Sequence, residues 1–312
     1  MSIFSVDVGG TNIRCAVVST DGEILHRKQL PTPPGLNPNG LLAILKEQAK
    51  LAGDEIRSRG LSIEAAGVAV PAPVPMGRDA KLTQVPNLPG LEGVRLSAML
   101  SDGLGVRVLV ENDAAAAAVG ENWKGASRGA NTSAYISLGT GIGGGLIIDG
   151  RLRRGPDGSA GEIGHICIEK NGRKCGCGSR GCFEQYASAG AILRLARRNG
   201  LKVATSEQVF ELARHGNRDA MLVFQRVGYY LGILSAALIN SINPDSIVFG
   251  GKVAGAMRFF GESLKKEAGY RSFRAPFRRC SIVRGKLGDD AAILGVARCV
   301  TARDDEADRK HP

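Results

Sequence analysis

The chain has 312 residues, enough for two domains of ordinary size, and its 43% hydrophobic and 23% charged content excludes a disordered, collagen-like or coiled-coil protein. Its 41 basic against 30 acidic side chains give a net charge of +11, which attracts anions without choosing between nucleic acid, a membrane surface and small phosphorylated ligands. The 43 glycines, about double the usual share of roughly 7%, gather in clusters, as expected where backbone turns tightly against something bound.

Met1 leads directly into a strand-like IFSVDV with no signal-peptide pattern. The longest nearly apolar run, 229–239, is far short of the ~20 residues of a spanning helix, so a cytoplasmic protein with no membrane partner is expected. From the N-terminus the pattern is strand (FSVDV), glycine turn (GGTN), strand (IRCAVVS), Asp21-Gly22 turn and strand (EILHRKQL). Residues 37–59 have helical periodicity, 65–70 form a short buried strand, and the proline-rich 71–89 reads as an ordered loop. The strand at 106–110 runs into Glu111-Asn112-Asp113, where Asp113 is placed to cap an alanine-rich helix. The opening plan then recurs: strand 134–138, Gly139-Thr140-Gly141, a glycine-rich strand ending IGGGLII, Asp149-Gly150, and RLRR. A hairpin plan repeated after roughly 130 residues suggests a duplicated architecture. The C-terminal half reads as helices at 189–198, 206–214, 219–242 and 291–299, interrupted by the strand SIVFGG with its Gly250-Gly251 turn.

Glycines at 9 and 10 let backbone N–H groups approach phosphate oxygens, and Thr11 adds a hydroxyl; one such turn equally suits a plain hairpin, and the second copy plus Gly250-Gly251 tips the balance to a nucleotide. Neither copy is a Walker A loop or a dinucleotide fingerprint. His165, Cys175, Cys177 and Cys182 supply one imidazole and three thiolates within a glycine-rich stretch. Four N/S donors with no vacancy suit structural zinc; the competing reading is three reduced cysteines in a loop. Cys167 is a rival ligand or a buried thiol, and Cys15, Cys280 and Cys299 read as core filling. Asp113, at a strand end and helix start, could accept a proton from a hydroxyl attacking phosphorus, or serve only as a cap. Glu162 and Glu184 flank the metal cluster and suit bonding to sugar hydroxyls, or are solvated charges.

DVGGTNIR, VPNLPG, VENDAAAA, SLGTGIGGG, AGEIGH, CGCGSRGCFE and IVFGG occur in the order of the ROK family (repressors, open reading frames and sugar kinases), which the chain resembles from about residue 3 to 298. The resemblance implies the actin-like ATPase fold shared with hexokinases: two α/β domains around a cleft. The division expected is a small N-terminal α/β domain at 1–112 completed by the helix near 291–300, a larger one at 113–290 carrying the zinc loop, and a flexible tail at 301–312. The implied activity is ATP-dependent phosphorylation of a hexose at the 6-hydroxyl, glucose first, with N-acetylhexosamines or fructose as alternatives. Asp113 is the implied base; Asn87, Asn112, Asp113, Glu162, His165 and Glu184 fall on sugar-holding positions. Asp7, Gly9, Gly10, Thr11, Asn12, Gly139, Thr140, Gly141, Gly250 and Gly251 fall on the Mg²⁺-ATP site, and structural Zn²⁺ on the four-donor cluster. A homodimer or homotetramer is the family expectation.

Two features depart from the family. Family kinases carry Pro-Gly-x-Val where this chain has Pro71-Ala72-Pro73-Val74, and alanine is compatible only with a negative φ. Family repressors carry a DNA-binding segment of some 70 to 80 residues before the first glycine turn, which here arrives at residue 9, so no specific nucleic acid is expected. The basic, ring-bearing run 270–279 (YRSFRAPFRR) supports the different-class alternative of a non-catalytic nucleic-acid-binding regulator.

Overall fold

The structure, a computed structural model, describes residues 2–308, with side chains through Ala302. The chain forms two compact units. The first comprises residues up to Arg128, Leu152–Ala160 and those from Asp289 onward; the second comprises Gly129–Arg151 and Gly161–Gly288.

In the first unit β1 (Ser2–Val8), β2 (Asn12–Ser19) and β3 (Ile24–Pro31) form an antiparallel meander. β1 is buried almost throughout because it is central, whereas β3 lies at the edge and exposes Arg27, Lys28 and Gln29, the first two being charges that discourage edge-to-edge pairing. Asn37 caps α1 (Pro38–Arg57) by accepting from the Gly40 N–H, and Leu41, Leu45, Ala52 and Ile56 line its buried face. This helix supplies the crossover that a parallel strand requires, and β4 (Ile63–Val70) pairs parallel with β1. A second crossover holds α2 (Leu96–Leu104), stopped by Gly105 at φ 68°, and leads to β5 (Arg107–Asn112) beside β4. The alanine-rich α3 (Asp113–Lys124) follows at once.

The second unit repeats the plan. β6 (Ser133–Leu138) and β7 (Ile142–Ile148) are antiparallel, and Asp149-Gly150, both with positive φ, turn the chain into β8 (Arg151–Arg153), the edge strand of this sheet, where the stretch counted with the first unit begins at Leu152. Beyond the loop segment come α4 (Glu184–Ala187), α5 (Ala189–Arg198), α6 (Ser206–Arg214) and α7 (Arg218–Ile242). β9 (Ser246–Gly250) then pairs parallel with β6; after α8 (Met257–Arg271) and α9 (Arg274–Arg279), β10 (Ser281–Arg284) pairs parallel with β9. The sheet orders, β3-β2-β1-β4-β5 and β8-β7-β6-β9-β10, are the same plan. Among the described residues α7 alone is long and apolar enough to cross a membrane, but 67% of its most apolar window is buried, so it is the core helix of this unit.

Finally α10 (Asp290–Asp308) returns to the first unit. Gly120 of α3 and Gly295 of α10 let the two backbones touch: a Cβ at Gly295 would strike the Ala116 carbonyl, and one at Gly120 the Ala291 carbonyl. The helix runs past Cys299, where the sequence pattern ends it, to Asp308; the last four residues of the expected tail lie outside the described residues.

Candidate active site and metal centre

In the first unit the candidate residues gather at the C-terminal ends of the strands. Asn112 closes β5, and its Oδ1 accepts from the Ala115 N–H at 2.9 Å, so the cap of α3 is Asn112 and not Asp113. This corrects the sequence expectation: the asparagine, one residue earlier, has the extended backbone (φ −66°, ψ 141°) that a capping side chain needs. Asp113 is thereby spared that duty and stands as the first helical residue, its Oδ1 accepting from the Ala114 N–H at 2.8 Å. The Asn112 amide also donates to the Ala72 carbonyl at 3.2 Å. Ala72 is buried and is not among the non-glycine residues with positive φ, so alanine stands without strain where the family has glycine.

Directly before Asn112, Glu111 is 3% exposed and bonds the Arg154 Nε at 2.6 Å. Arg154 lies on Leu152–Ala160, the short segment that belongs to this unit between two stretches of the other. Neither residue was singled out from sequence, because 43 residues separate them and each alone resembles an ordinary surface charge. They line a cavity of about 440 Å³ along β5 and the loop after Val74, which none of the candidate residues borders.

The first glycine turn is closed by Gly9 N–H to the Asn12 carbonyl at 2.9 Å. Thr32 braces it, its hydroxyl donating to the Gly9 carbonyl (2.6 Å) and its N–H to the Thr11 carbonyl (2.9 Å). A Cβ at Gly10 would lie 3.4 Å from the Asn87 carbonyl oxygen, so exposed Asn87 sits beside this turn. Asp7, at the end of β1, pairs with Arg14 at 3.1 Å, and Arg14 also reaches Asp289 at 3.3 Å. Burial pushes the Asp7 carboxyl above its usual range, with Arg14 pulling the other way and Asp289 adding to the rise.

In the second unit Gly139, Thr140 and Gly141 join β6 to β7, with Gly139 N–H bonding the Gly141 carbonyl at 3.0 Å. Gly250-Gly251 ends β9 beside it. Gly251 has φ 77°, and a Cβ there would collide with the Leu138 carbonyl, one residue before the turn. The Glu184 Oε2 accepts from the Ile142 N–H at 3.0 Å and lies 2.5 Å from where a Gly141 Cβ would be.

His165, Cys175, Cys177 and Cys182 converge, with all ligand atoms within 4.8 Å of one another. Cys175 Sγ is 3.6 Å from His165 Nδ1, and Cys177 Sγ is 3.6 Å from Cys182 Sγ. A tetrahedron with Zn–S bonds of ~2.3 Å has edges of about 3.8 Å, so this donor set fits zinc with little movement. Gly178 and Gly181, both at positive φ, fold the loop tightly enough to bring the donors together. Cys167 is exposed and outside the cluster, so it is neither ligand nor buried thiol. Of the expected core cysteines, Cys15 and Cys299 are buried and Cys280 is half-buried.

The His165 ring has two faces: Nδ1 points into the cluster, and Nε2 lies 4.0 Å from the Glu162 carboxylate. Burial raises the Glu162 carboxyl above its usual range; His165 opposes this and Glu184 reinforces it. An imidazole N–H and two carboxylates on one side of a metal loop form a polar set suited to binding adjacent hydroxyl groups.

Two sheets of this repeated order, each with a glycine turn between its first two strands, define an actin-like ATPase fold. The ROK family model matches residues 3–303, and the chain belongs to that family. It is 34% identical to a glucokinase of Thermotoga maritima over 97% of this chain and 98% of the relative. It is 32% identical to the xylose repressor of Bacillus spizizenii, over 75% of this chain and 60% of the repressor. Among solved structures, the ROK family glucokinase of Streptomyces griseus in complex with glucose and AMPPNP is 31% identical, with a TM-score of 0.81 over 96% of this chain and 99% of that one.

Proposed function

We propose that the protein is an ATP-dependent hexose kinase that transfers the γ-phosphoryl group to the 6-hydroxyl of glucose. The observation that carries this reading is the two-faced His165, one ring nitrogen in a four-donor cluster and the other toward Glu162, in a chain so similar to glucokinases along its whole length. Asp113 removes the proton of the 6-hydroxyl; the oxygen then forms its bond to the γ-phosphorus as the bond to the β-bridging oxygen breaks, releasing ADP. Asn87, Glu162, His165 and Glu184 hold the sugar hydroxyls. Asn112, most of whose amide is committed to Ala115 and Ala72, offers a remaining N–H and keeps Asp113 in register.

The glycines at 9, 10, 139, 141, 250 and 251, with Thr11, Asn12 and Thr140, take the ATP phosphates and ribose side, and Asp7 faces the magnesium–phosphate region. Magnesium, when bound, neutralises charge on the phosphates. His165, Cys175, Cys177 and Cys182 hold a zinc ion whose full coordination makes it structural, stiffening the loop that carries Glu162 and Glu184. The enzyme acts in the cytoplasm as a homodimer or homotetramer.

A coupled ADP-release assay with Mg-ATP against glucose, N-acetylglucosamine, N-acetylmannosamine, mannose, fructose and allose tests the reading. Glucose should give a kcat/KM above ~10⁴ M⁻¹s⁻¹. A better N-acetylated sugar or fructose would move the substrate within the family, and turnover of none would refute the kinase. The similarity to a xylose repressor, with Tyr270 and Phe273 83% and 74% exposed amid arginines, favours one second reading, a regulator that binds nucleic acid. Tight, sequence-selective DNA binding at ~150 mM salt, without sugar turnover, would support it.

A further inference from the structure

The metal cluster and the second glycine turn meet at one peptide. Ile142 is the first residue of β7, immediately after Gly141. Its N–H is taken by Glu184 Oε2 at 3.0 Å, and Glu184 follows the ligand Cys182 by two residues. Its carbonyl is packed by the segment carrying the other ligand: Gly164, one residue before His165, sits so close that a Cβ would collide with the Ile142 oxygen. The two arms of the cluster, one with the imidazole and one with the last thiolate, thus grip opposite ends of Ile142. The start of α5, just beyond α4, closes the frame, because the Ala189 N–H donates to the Gly139 carbonyl at 2.9 Å. Glu184 also lies 4.0 Å from Cys175 Sγ through its other oxygen, so one carboxylate touches both the cluster and the turn.

We infer that the metal loop is the mould of the 139–141 turn, so that occupancy of the cluster sets affinity for the nucleotide phosphates even when no sugar is bound, with Glu184 as the positioning residue between them. A turn of two glycines has many conformations open to it, and only one presents its N–H groups together to an anion. Gripping Ile142 from both sides removes the alternatives before the ligand arrives, which is preorganisation. The first glycine turn has no such dependence, being braced by Thr32 within its own sheet. By reciprocity of linked binding, nucleotide then strengthens metal retention by the same factor. This rests on the reading that the 139–141 turn meets ATP phosphates.

The test is nucleotide affinity with no sugar present, followed by fluorescence of a mant-labelled ATP analogue with Mg²⁺, on zinc-replete protein and on protein verified as zinc-free by elemental analysis. Zinc removal should weaken Kd by ~10-fold, within the usual range of coupling between sites. Glu184→Ala should be weak in both forms, and Glu184→Gln, whose amide oxygen can still accept from Ile142, should keep the zinc dependence. Equal Kd for zinc-replete and zinc-free wild type, with native circular dichroism in both, would overturn the inference while leaving the kinase intact. Should the zinc-free protein lose its native spectrum, the comparison moves to zinc-replete wild type and Glu184→Ala. Faster hydrogen exchange at the Ile142 amide with weaker Kd supports the inference, and a Kd within twofold of wild type ends it. No nucleotide binding by zinc-replete wild type would refute the ATP site itself, and this inference with it.

Discussion

The two glycine turns occupy the same place in the two sheets and are supported in different ways. The turn at Gly9 and Gly10 is finished within its own meander: Thr32, next to the end of β3, ties its carbonyls, and the nearest foreign atom to a Cβ at Gly10 is 3.4 Å away. The turn at Gly139–Gly141 is finished by residues more than 40 positions later, through Glu184 and Ala189. A local turn comes ready-made with its hairpin, whereas a turn completed at a distance takes on the state of whatever completes it. Duplicating a fold therefore duplicates the backbone plan without duplicating its controls.

The largest expected effect falls on the first unit's chemistry. Asp113→Ala should lower kcat by at least ~10²-fold with the circular dichroism unchanged, since Asn112 and not Asp113 caps the helix. Near-normal turnover would remove Asp113 as the base. Arg154→Ala, leaving the Glu111 carboxylate buried and unpaired, should cost about 3 kcal/mol by urea unfolding; a cost below about 1 kcal/mol would show that the connecting segment does not hold β5. In the second unit, Cys177→Ser or complete zinc removal should raise KM for sugar by ~10-fold or more through loss of the loop's order. An unchanged KM in protein verified as zinc-free would separate the loop from the sugar. The smallest effects compare the turns directly by ligand-free thermal unfolding. Gly141→Ala, whose Cβ would lie 2.5 Å from Glu184, should destabilise by about 1–2 kcal/mol, and Gly10→Ala by less than about 0.5 kcal/mol. Equal losses would erase the contrast between local and distant support.

The sequence was most informative where structure is local. The two strand–glycine–strand plans, the helix after Asn37 and the ROK motifs all lie within short windows, and the repeated order of the sheets follows from them. Periodicity did not single out α2, α8 or β10: α2 is nine residues long, α8 is rich in exposed charge, and β10 is four residues at a sheet edge. The donor spacing at 165–182 was legible because all four residues sit in one loop. The grip of Glu184 on Ile142 and of Arg154 on Glu111 was not, since each contact joins residues more than 40 positions apart. The cap falls on Asn112 and not on Asp113, a difference of one residue that propensity does not resolve.

The returning helix α10 gives the chain an order of completion opposite to its order of synthesis. The first unit begins at the N-terminus, yet its helix α3 waits for Gly295 to fill the groove at Ala116, and β4 waits for Val296 to cover Gly67. The second unit ends at Gly288. On the ribosome, then, the second unit can mature first, while the first is held open until α10 emerges. A chain truncated before Asp289 should leave a folded second unit joined to an unfinished first one, so losing a segment late in the sequence would disable the unit that begins it.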